Sequence, residues 1–346
     1  MMLSIRLNLG VAALIVLMVL PLFGGCSAMD AAKPAASDGA IIDADAGLGE
    51  GYEIPSERED IGVETGIDLM DGIDGEIQLV PPLLQKRLKE AKAGETVSLS
   101  PATNGVPLVI EVDEPLIIKA GVTLANKGTG EITIKAPAKG GCFRVETDAE
   151  VPVPTVIKGL ACEVTRGAGL IVRGSGEFRG EELQFQVKAG VGVAIEGVKH
   201  VTLKNVQITG EQLAGDRKVA FPLLATDRPL IGLIASHVQM LDIESVEVDG
   251  FTGIGALLYE TTSTWTTGSV ANTVGVDVFV HGGKATLNGL SIATNVASNN
   301  PLLLAAGLVA SGGATVETTK LTIKDNEGAG IVADHATMKH DDLLVA

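Results

Sequence analysis

The feature that most constrains this chain is a short motif, a glycine followed by mostly aliphatic residues, which recurs along its second half. The motif reads GLIV, GVAI, GLIA, GALL, GVDV, GLVA and GIVA, beginning at Gly169, Gly192, Gly232, Gly255, Gly275, Gly307 and Gly330. Successive glycines are 23, 40, 23, 20, 32 and 23 residues apart. The two long steps become ordinary if the extra residues form loops at 211–228 and 294–304. The domain is therefore built on a repeat of about 23 residues.

Repeats of this length, made of short β-branched strands separated by Gly and Asn, are typical of a parallel β-solenoid. A single coil cannot bury its own apolar side chains, so the coils must stack around a shared core. The same repeat explains the segment GVGVAIEG at 190–197, whose glycines miss the spacing of a dinucleotide-binding loop and precede a β-branched segment instead of a helix. The low aromatic content of 3% and the 43 glycines suit a narrow aliphatic interior.

The segment PPLLQKRLKEAKAGET, which begins at residue 81, predicts a short amphipathic helix with a proline start and an end at Gly94. Alternating strands follow it. A short helix leading into such strands resembles the N-terminal cap of the right-handed parallel β-helix family, the pectate-lyase-like superfold. The resemblance covers residues 81–346 and implies an all-β right-handed parallel β-helix of about ten coils. No catalytic signature of that family accompanies it. Because no similar cap precedes Ala346, we expect the domain to be truncated there or covered by a partner.

The N-terminus predicts export. Arg6 precedes a 15-residue uncharged run, Leu9–Phe23, which is too short for a membrane span but suits a signal peptide. The run ends in LFGGC, which resembles a bacterial lipobox, with Phe23 where that motif usually has leucine. The resemblance implies that residues 1–25 are removed and that Cys26 is lipidated, which would anchor the protein to a membrane. Ser27 after the cysteine favours, by resemblance to bacterial sorting rules, the outer membrane of the cell envelope.

The net charge of −17 is concentrated near this anchor. Residues 27–80 contain 14 acidic residues and only two basic ones, Lys33 and Arg58. Residues 26–80 are therefore predicted to be an acidic, disordered tether between the anchor and the domain at 81–346. An acidic chain without basic clusters excludes nucleic acid as a partner.

The remaining cysteines, Cys142 and Cys162, lie 20 residues apart and could share a coil. A disulfide would persist in an exported protein, but free cysteines also serve as small apolar core residues, so both alternatives stay open. The five histidines lack the spacing of zinc ligands. No cofactor is predicted, with calcium as the one alternative.

The strand QMLDIESVEVDG contains the candidate catalytic residues. Alternation places its aliphatic residues inward and four acids outward, namely Asp242, Glu244, Glu247 and Asp249. Asp242 and Glu244 would stand about 6.5–7 Å apart, near the separation of paired glycosidase carboxylates. The four acids could equally hold calcium, and a solvated strand shows the same pattern.

Two further features suggest a binding site. The inserted segment EQLAGDRKVAFPLLATDR combines cations with an apolar ring, which suits an acidic sugar, although it could instead pack over the solenoid. Trp265 is the only tryptophan and therefore the obvious stacking platform for a sugar. The candidate ligand-binding residues are Asp216, Arg217, Lys218, Asp227, Arg228 and Trp265.

The residue two places after each motif glycine is predicted to point outward. This outward stripe is Ile171, Ala194, Ile234, Leu257, Asp277, Val309 and Val332, which is too apolar for a catalytic groove and indicates a covered or partner-binding face. The favoured function is accordingly an envelope-anchored lipoprotein whose non-catalytic β-helix binds a glycan or a protein partner at the cell surface. The alternative is a lyase, hydrolase or epimerase of acidic polysaccharide.

Overall fold

The computed structural model describes residues 81–101, 107–211, 228–295 and 305–346, which contain one helix, α1 (Pro81–Glu90), and 20 strands. The strands are β1 (Thr96–Leu99), β2 (Leu108–Glu111), β3 (Leu116–Ile118), β4 (Thr123–Asn126), β5 (Ile132–Thr147), β6 (Thr155–Lys158), β7 (Ala161–Gly174), β8 (Glu177–Val187), β9 (Gly190–Glu196), β10 (His200–Gly210), β11 (Pro229–Ser236), β12 (Met240–Asp249), β13 (Ile254–Tyr259), β14 (Thr262–Ala271), β15 (Val276–His281), β16 (Lys284–Ala293), β17 (Ala306–Ser311), β18 (Thr315–Lys324), β19 (Ala329–Asp334) and β20 (Thr337–Val345). The predicted signal peptide, Cys26 and the tether lie outside these ranges.

Every strand pairing is parallel, and from β7 onward each strand pairs chiefly with the strand two places along the chain, as β10 does with β8 and β12. This pattern makes a β-solenoid of about nine coils of roughly 23 residues, which confirms the predicted all-β parallel fold. The short strands β9, β11, β13, β15, β17 and β19 form face 1. The long strands alternate with them and supply the other two faces.

Each long strand bends at a residue with a left-handed backbone, such as Ser245 with φ of 54° in β12. The residues at this bend are stacked in register, and they are Glu182, Asn205, Ser245, Thr267, Gly289, Lys320 and Asp342. We call the part before the bend face 2 and the part after it face 3; the first halves of β5 and β7 continue face 3. At the bend two consecutive residues point outward, so the alternation of inward and outward side chains is shifted by one residue in the second half of the strand.

A column of glycines on face 1 controls the packing of the interior. A Cβ atom added to Gly192 would lie 2.2 Å from Ile208 Cγ2, and one added to Gly232 would lie 2.2 Å from Val248 Cγ1. Both distances are far shorter than any carbon–carbon contact. At these positions the aliphatic side chain of face 3 therefore occupies the space that a face 1 side chain would need, which favours glycine in the column.

The glycine column corrects one sequence prediction. Val276 pairs with Ala306 and Val278 with Leu308, so Asp277, and not Gly275, stands in the glycine column. The prediction that Asp277 points outward is therefore wrong, and Phe279 takes its place in the outward stripe. The stripe residues Ala194, Ile234, Leu257, Phe279 and Val309 are buried, between 1% and 6% exposed. The middle of the stripe is therefore buried, whereas Ile171 and Val332 at its two ends are partly exposed.

The predicted N-terminal helix is confirmed. Leu84 and Leu88 of α1 are buried in the hydrophobic core, and Gln85 Oε1 accepts a hydrogen bond from the Ile117 N–H at 3.0 Å. The helix thus attaches to β3, on the first coil. Among the described residues, no helix has both the length and the apolar character needed to span a membrane.

Cys142 and Cys162 form a disulfide, with their Cα atoms 6.2 Å apart. Cys142 is in register with the glycine column, between the pairs Gly141–Ala168 and Phe143–Leu170. Cys162 stands in the face 3 column that contains Phe185. The bond therefore replaces, in this coil, the contact that glycine and an aliphatic residue make in the others.

We predict that Gly232→Ala lowers the free energy of unfolding by about 1–3 kcal/mol, because the new methyl meets both Val248 and the Gly255 carbonyl oxygen, 2.5 Å away. Gly330→Ala is the matched control from the same column, since its methyl would meet only Val345, which is 51% exposed and can move. We expect the control to cost less than about 1 kcal/mol. Urea unfolding measures both values, and equal losses would contradict the steric role of the column.

Candidate functional site

The four acidic side chains of β12 point outward as predicted, but they do not form one group. Leu241, Ile243, Val246 and Val248 are buried in the core, so the acids between them face outward. The bend at Ser245 leaves Asp242 and Glu244 on face 2 and Glu247 and Asp249 on face 3. Within the described ranges, no group of three or more His, Cys, Asp or Glu side chains is placed to hold a metal ion.

Each of these four acids has a partner on a neighbouring coil. The pairs are Asp242 with His200 Nε2 at 2.9 Å, Glu244 with Lys204 Nζ at 3.0 Å, Glu247 with Gln207 Nε2 at 3.5 Å, and Asp249 with Asn272 Nδ2 at 2.6 Å. Such cross-strand pairs are the ordinary way in which a solvated parallel sheet arranges its charges. Asp242 and Glu244 are also 45% and 53% exposed, so their surroundings do not exclude water.

Trp265 does not fit the ligand-binding role that the sequence suggested. Its side chain is completely buried, in register between Ile243 and Leu287. Gly268 leaves room for the ring, because a Cβ atom there would lie 3.1 Å from Trp265 Nε1. A ring without an exposed face cannot stack on a sugar. Aligning TSTW with MLDI by repeat would have placed Trp265 in the inward column.

The inserted segment was predicted to bind ligand through Asp216, Arg217, Lys218 and Asp227, and these residues lie outside the described part of the chain. Arg228 lies at the start of the next described range. Its carbonyl oxygen accepts the Gly190 N–H at 2.8 Å, which joins the end of the segment to face 1. A ligand-binding role for the segment stays a prediction.

The structure shows a groove on face 3 that sequence reasoning missed. Ala161 contributes only a methyl group in a column that continues with Gln184, Gln207 and Glu247, and its short side chain leaves a depression. The depression, of about 240 Å³, is lined by Glu131, Thr133, Ala161, Cys162, Glu163, Gln184, Phe185, Gln186, Gln207 and Thr209. A second depression, of about 330 Å³, is lined by Glu182, Gln184, Asn205, Gln207, Ser245 and Glu247.

Gln184 and Gln207 line both depressions, so the two form one continuous surface, which we call the amide groove. It crosses five successive strands, from Thr133 to Glu247, and is thus about 19 Å long at 4.8 Å per strand. Its signal in the sequence is the set of polar residues that recur two apart in the face 3 halves, QFQ in β8 and QIT in β10.

The chemistry of the amide groove is that of hydrogen bonding. Its lining offers amides, hydroxyls and carboxylates, and none of its lining residues is Lys or Arg. Glu163 pairs with Lys135 at 3.0 Å beside the groove, and Thr133 Oγ1 donates to Glu131 at 3.3 Å. The disulfide passes under the floor, since Cys162 follows Ala161. The groove therefore lies on a fixed part of the sheet.

Three rings meet at the edge of face 1 because His237, Tyr259 and His281 are spaced by 22 residues, close to the length of one coil. Tyr259 stacks on His281 with ring centres 5.1 Å apart and meets the edge of His237 at 5.3 Å. Glu260 pairs with His237 Nε2 at 3.0 Å. Burial, followed by the nearby Glu260 carboxylate, raises the pKa of Tyr259. The rings cover each other's faces and so stabilise this edge.

No family model matches the chain, and no curated protein matches it. Among solved structures, it is similar to the mannuronan C-5 epimerase AlgE6 A-module of Azotobacter vinelandii, with 12% identity, coverage of 76% of this chain and 94% of that chain, and a TM-score of 0.40. It is also similar to an alginate lyase from Paenibacillus sp. str. FPU-7, with 16% identity, coverage of 75% and 97%, and a TM-score of 0.39. Similarity at this level concerns the course of the chain and carries no information on activity.

We predict that Trp265→Ala lowers the free energy of unfolding by about 3–5 kcal/mol, because it leaves a large cavity in the core. Thr264→Ala is the matched control, since Thr264 is the exposed neighbour on the same strand and should change stability by less than about 0.5 kcal/mol. Urea unfolding followed by circular dichroism measures both. A stable Trp265→Ala variant would contradict the buried position of the ring.

Proposed function

We propose that this protein is an envelope lipoprotein that binds a glycan through the amide groove and does not cleave it. The observation that carries the proposal is the groove itself, a long polar channel across the strands. Glycan hydroxyl groups both donate and accept hydrogen bonds, which matches the amide and hydroxyl side chains of Gln184, Gln186, Gln207 and Thr209. The rigid sheet holds these groups in place, so little conformational entropy is lost on binding.

The lining favours a neutral glycan. Glu131, Glu163, Glu182 and Glu247 contribute carboxylates, and no lining residue is a cation. Lys135 and Lys158 pair with Glu163 and Glu182 from beside the groove, so Glu131 and Glu247 are the lining carboxylates without a lysine partner among the ion pairs of the described residues. A polyuronate bound in the groove would bring its own carboxylates close to these carboxylates, and the like charges would repel one another. The alternative function, an enzyme of acidic polysaccharide, would therefore need a different surface.

A non-catalytic role is supported by the positions of the candidate acids. Cleavage of a glycan requires an acid and a base that converge on one bond. Asp242 and Glu244 lie on face 2 and are not among the residues that line the amide groove, and each is paired with a cation or an imidazole of the neighbouring coil. They suit a solvated sheet better than a reaction centre.

The lipid anchor is included in the proposal on the basis of the sequence alone. The LFGGC segment supports lipidation of Cys26, and the acidic residues 26–80 support a tether that holds the solenoid away from the outer membrane. The groove would then face envelope or extracellular glycans.

To test binding, the full-length protein in detergent is titrated with a panel of neutral and uronate polysaccharides. We expect binding of a neutral polymer, weakened about 10- to 30-fold in Gln184→Ala/Gln207→Ala, because two hydrogen bonds of about 1 kcal/mol each are lost. The matched control, Asp242→Asn/Glu244→Gln, changes two polar side chains on face 2 and should bind normally.

Other outcomes have distinct meanings. Release of reducing or unsaturated ends that vanishes in Glu244→Gln would establish the enzymatic alternative. Unchanged binding in Gln184→Ala/Gln207→Ala would move the site away from the groove. Failure to bind any polymer would leave a protein partner as the ligand of the solenoid.

We predict that Cys26→Ala abolishes incorporation of labelled palmitate in a bacterial host and releases the protein from the membrane fraction. Cys142→Ala is the control, because it breaks the Cys142–Cys162 disulfide of the folded domain and leaves Cys26 unchanged. Palmitate labelling that persists in Cys26→Ala would contradict the lipobox.

A further inference from the structure

Asp277 is chemically out of place in this solenoid. It stands in the glycine column, between Gly255 on the preceding coil and Gly307 on the following one, and its side chain is fully buried. Among the buried residues in the described ranges, it is the only acidic or basic one. An ionised carboxylate in such a site would cost several kcal/mol unless it were paired.

The side chains beside Asp277 are neutral. Thr273 and Asn295, both fully buried, are adjacent to its carboxyl group and interact with it. Neither makes a well-aligned hydrogen bond with it: both Asp277 carboxyl oxygens, Thr273 Oγ1 and Asn295 Oδ1 lack a hydrogen-bond partner. Three of these four oxygens, the two of an ionised Asp277 carboxylate and Asn295 Oδ1, are acceptors only, and the Thr273 hydroxyl has a single hydrogen to donate among them, so a proton on Asp277 would supply the missing donor.

The amide of Asn295 is oriented by the backbone. Its Nδ2 donates to the carbonyl oxygens of Gly275, at 2.5 Å, and Ala306, at 3.3 Å. Both amide hydrogens are thus used, and Asn295 Oδ1 can only accept. The Asn295 N–H also donates to Asn326 Oδ1 at 3.2 Å. Asn295 therefore fastens three successive coils at this corner. Its unpaired Oδ1 needs a hydrogen-bond donor from a neighbouring side chain.

The charged side chains described near this corner lie on its outer side and do not pair with Asp277. On the preceding coil, the Asp249 carboxylate accepts from Asn272 Nδ2 on the outer side. On the following coil, Lys324, Asp325 and Glu327 are exposed. Gly255 and Gly307 flank Asp277 in the column, Thr273 and Asn295 interact with its carboxyl group, and no Lys or Arg is buried among the described residues.

We propose that Asp277 is a proton-binding site of the fold: it stays a neutral carboxylic acid in the native protein, donates its hydrogen to the Asn295–Thr273 pair, and loosens this corner when it ionises. Burial raises the pKa of Asp277 to about 8, and Thr273 and Asn295 offset the shift only in part. The inference is independent of the glycan-binding proposal, since the amide groove lies on other coils.

The proposal fixes the sign of a pH dependence. The native protein holds one proton more than the unfolded chain between pH 3.8, the ordinary pKa of an aspartate, and about 8. The stabilisation from Asp277 is therefore complete below pH 3.8 and is lost as the pH rises through about 8. In that interval, the unfolding equilibrium constant gains about tenfold per pH unit from this group.

The first experiment compares full-length wild type with Asp277→Asn, which keeps the shape and can donate a hydrogen bond at any pH. Asp325→Asn is the matched control, an exposed aspartate at the same corner. Denaturant unfolding is measured from pH 5 to 9. We expect the ratio of the wild-type and Asp277→Asn unfolding constants to rise by about 500-fold between pH 5 and 8, while the Asp325→Asn ratio stays flat. A flat ratio for Asp277→Asn would overturn the proposal.

The second experiment detects the proton directly. At pH 6.5 ordinary exposed carboxyl groups are ionised, so infrared difference spectra should show one protonated carboxyl band in wild type that is absent in Asp277→Asn. The band should disappear with a midpoint near pH 8. If Asp277→Asn does not fold, Asp277→Gly, which restores the glycine of the column, takes its place. A wild-type spectrum without the band would show that Asp277 is ionised and would overturn the proposal.

Discussion

The close approach of face 3 to the glycine column of face 1 is the contact on which the solenoid depends. An aliphatic side chain from face 3 lies against the glycine Cα of face 1, at a distance that leaves no room for a Cβ atom. The same contact recurs at Gly192, Gly232, Gly255 and Gly307, so the interior is similarly narrow in these coils. This repetition explains why aliphatic residues make up most of the core and only a few aromatic ones are needed to fill it.

The outer surface follows from the same alternation. Phe185 and Ile208 point into the core, so their neighbours along each strand, Gln184 and Gln186 in β8 and Gln207 and Thr209 in β10, face outward. The stacking of these polar side chains forms the amide groove. The groove is therefore a by-product of the core pattern at positions where the outward residues happen to be amides and hydroxyls. Farther along face 3 the same columns contain Ser269 and Ala271, and those positions line neither depression.

Much of the fold could be read from the sequence because a repeat leaves its period in the chain. The parallel solenoid, the helix before β1 and the outward direction of Asp242 and Glu244 all follow from periodicity. The failures have local causes. Gly275 looks like a motif glycine, but the strand pairing moves the register by two residues and takes Asp277 inside. The exposure of Trp265 depends on its place in the repeat, in register with the inward Ile243, and not on its residue type.

The candidate site was harder to predict because it depends on contacts between coils. The bend at Ser245 separates acids that look continuous in the sequence, since a left-handed residue other than glycine has no distinctive signature. The Cys142–Cys162 bond could be inferred only after the register had placed Cys142 in the glycine column. Both features require knowledge of which residues lie above one another, which a single sequence does not contain.

Because of the position of the disulfide, the rigidity of the groove floor depends on the redox state of the compartment that contains the protein. Cys162 adjoins Ala161, so the bond fastens the floor of the groove to face 1. In a reducing compartment this fastening would be missing, and a small cysteine pair would have to hold the floor by packing alone. The floor of the groove would thus be fastened to face 1 only in an oxidising environment.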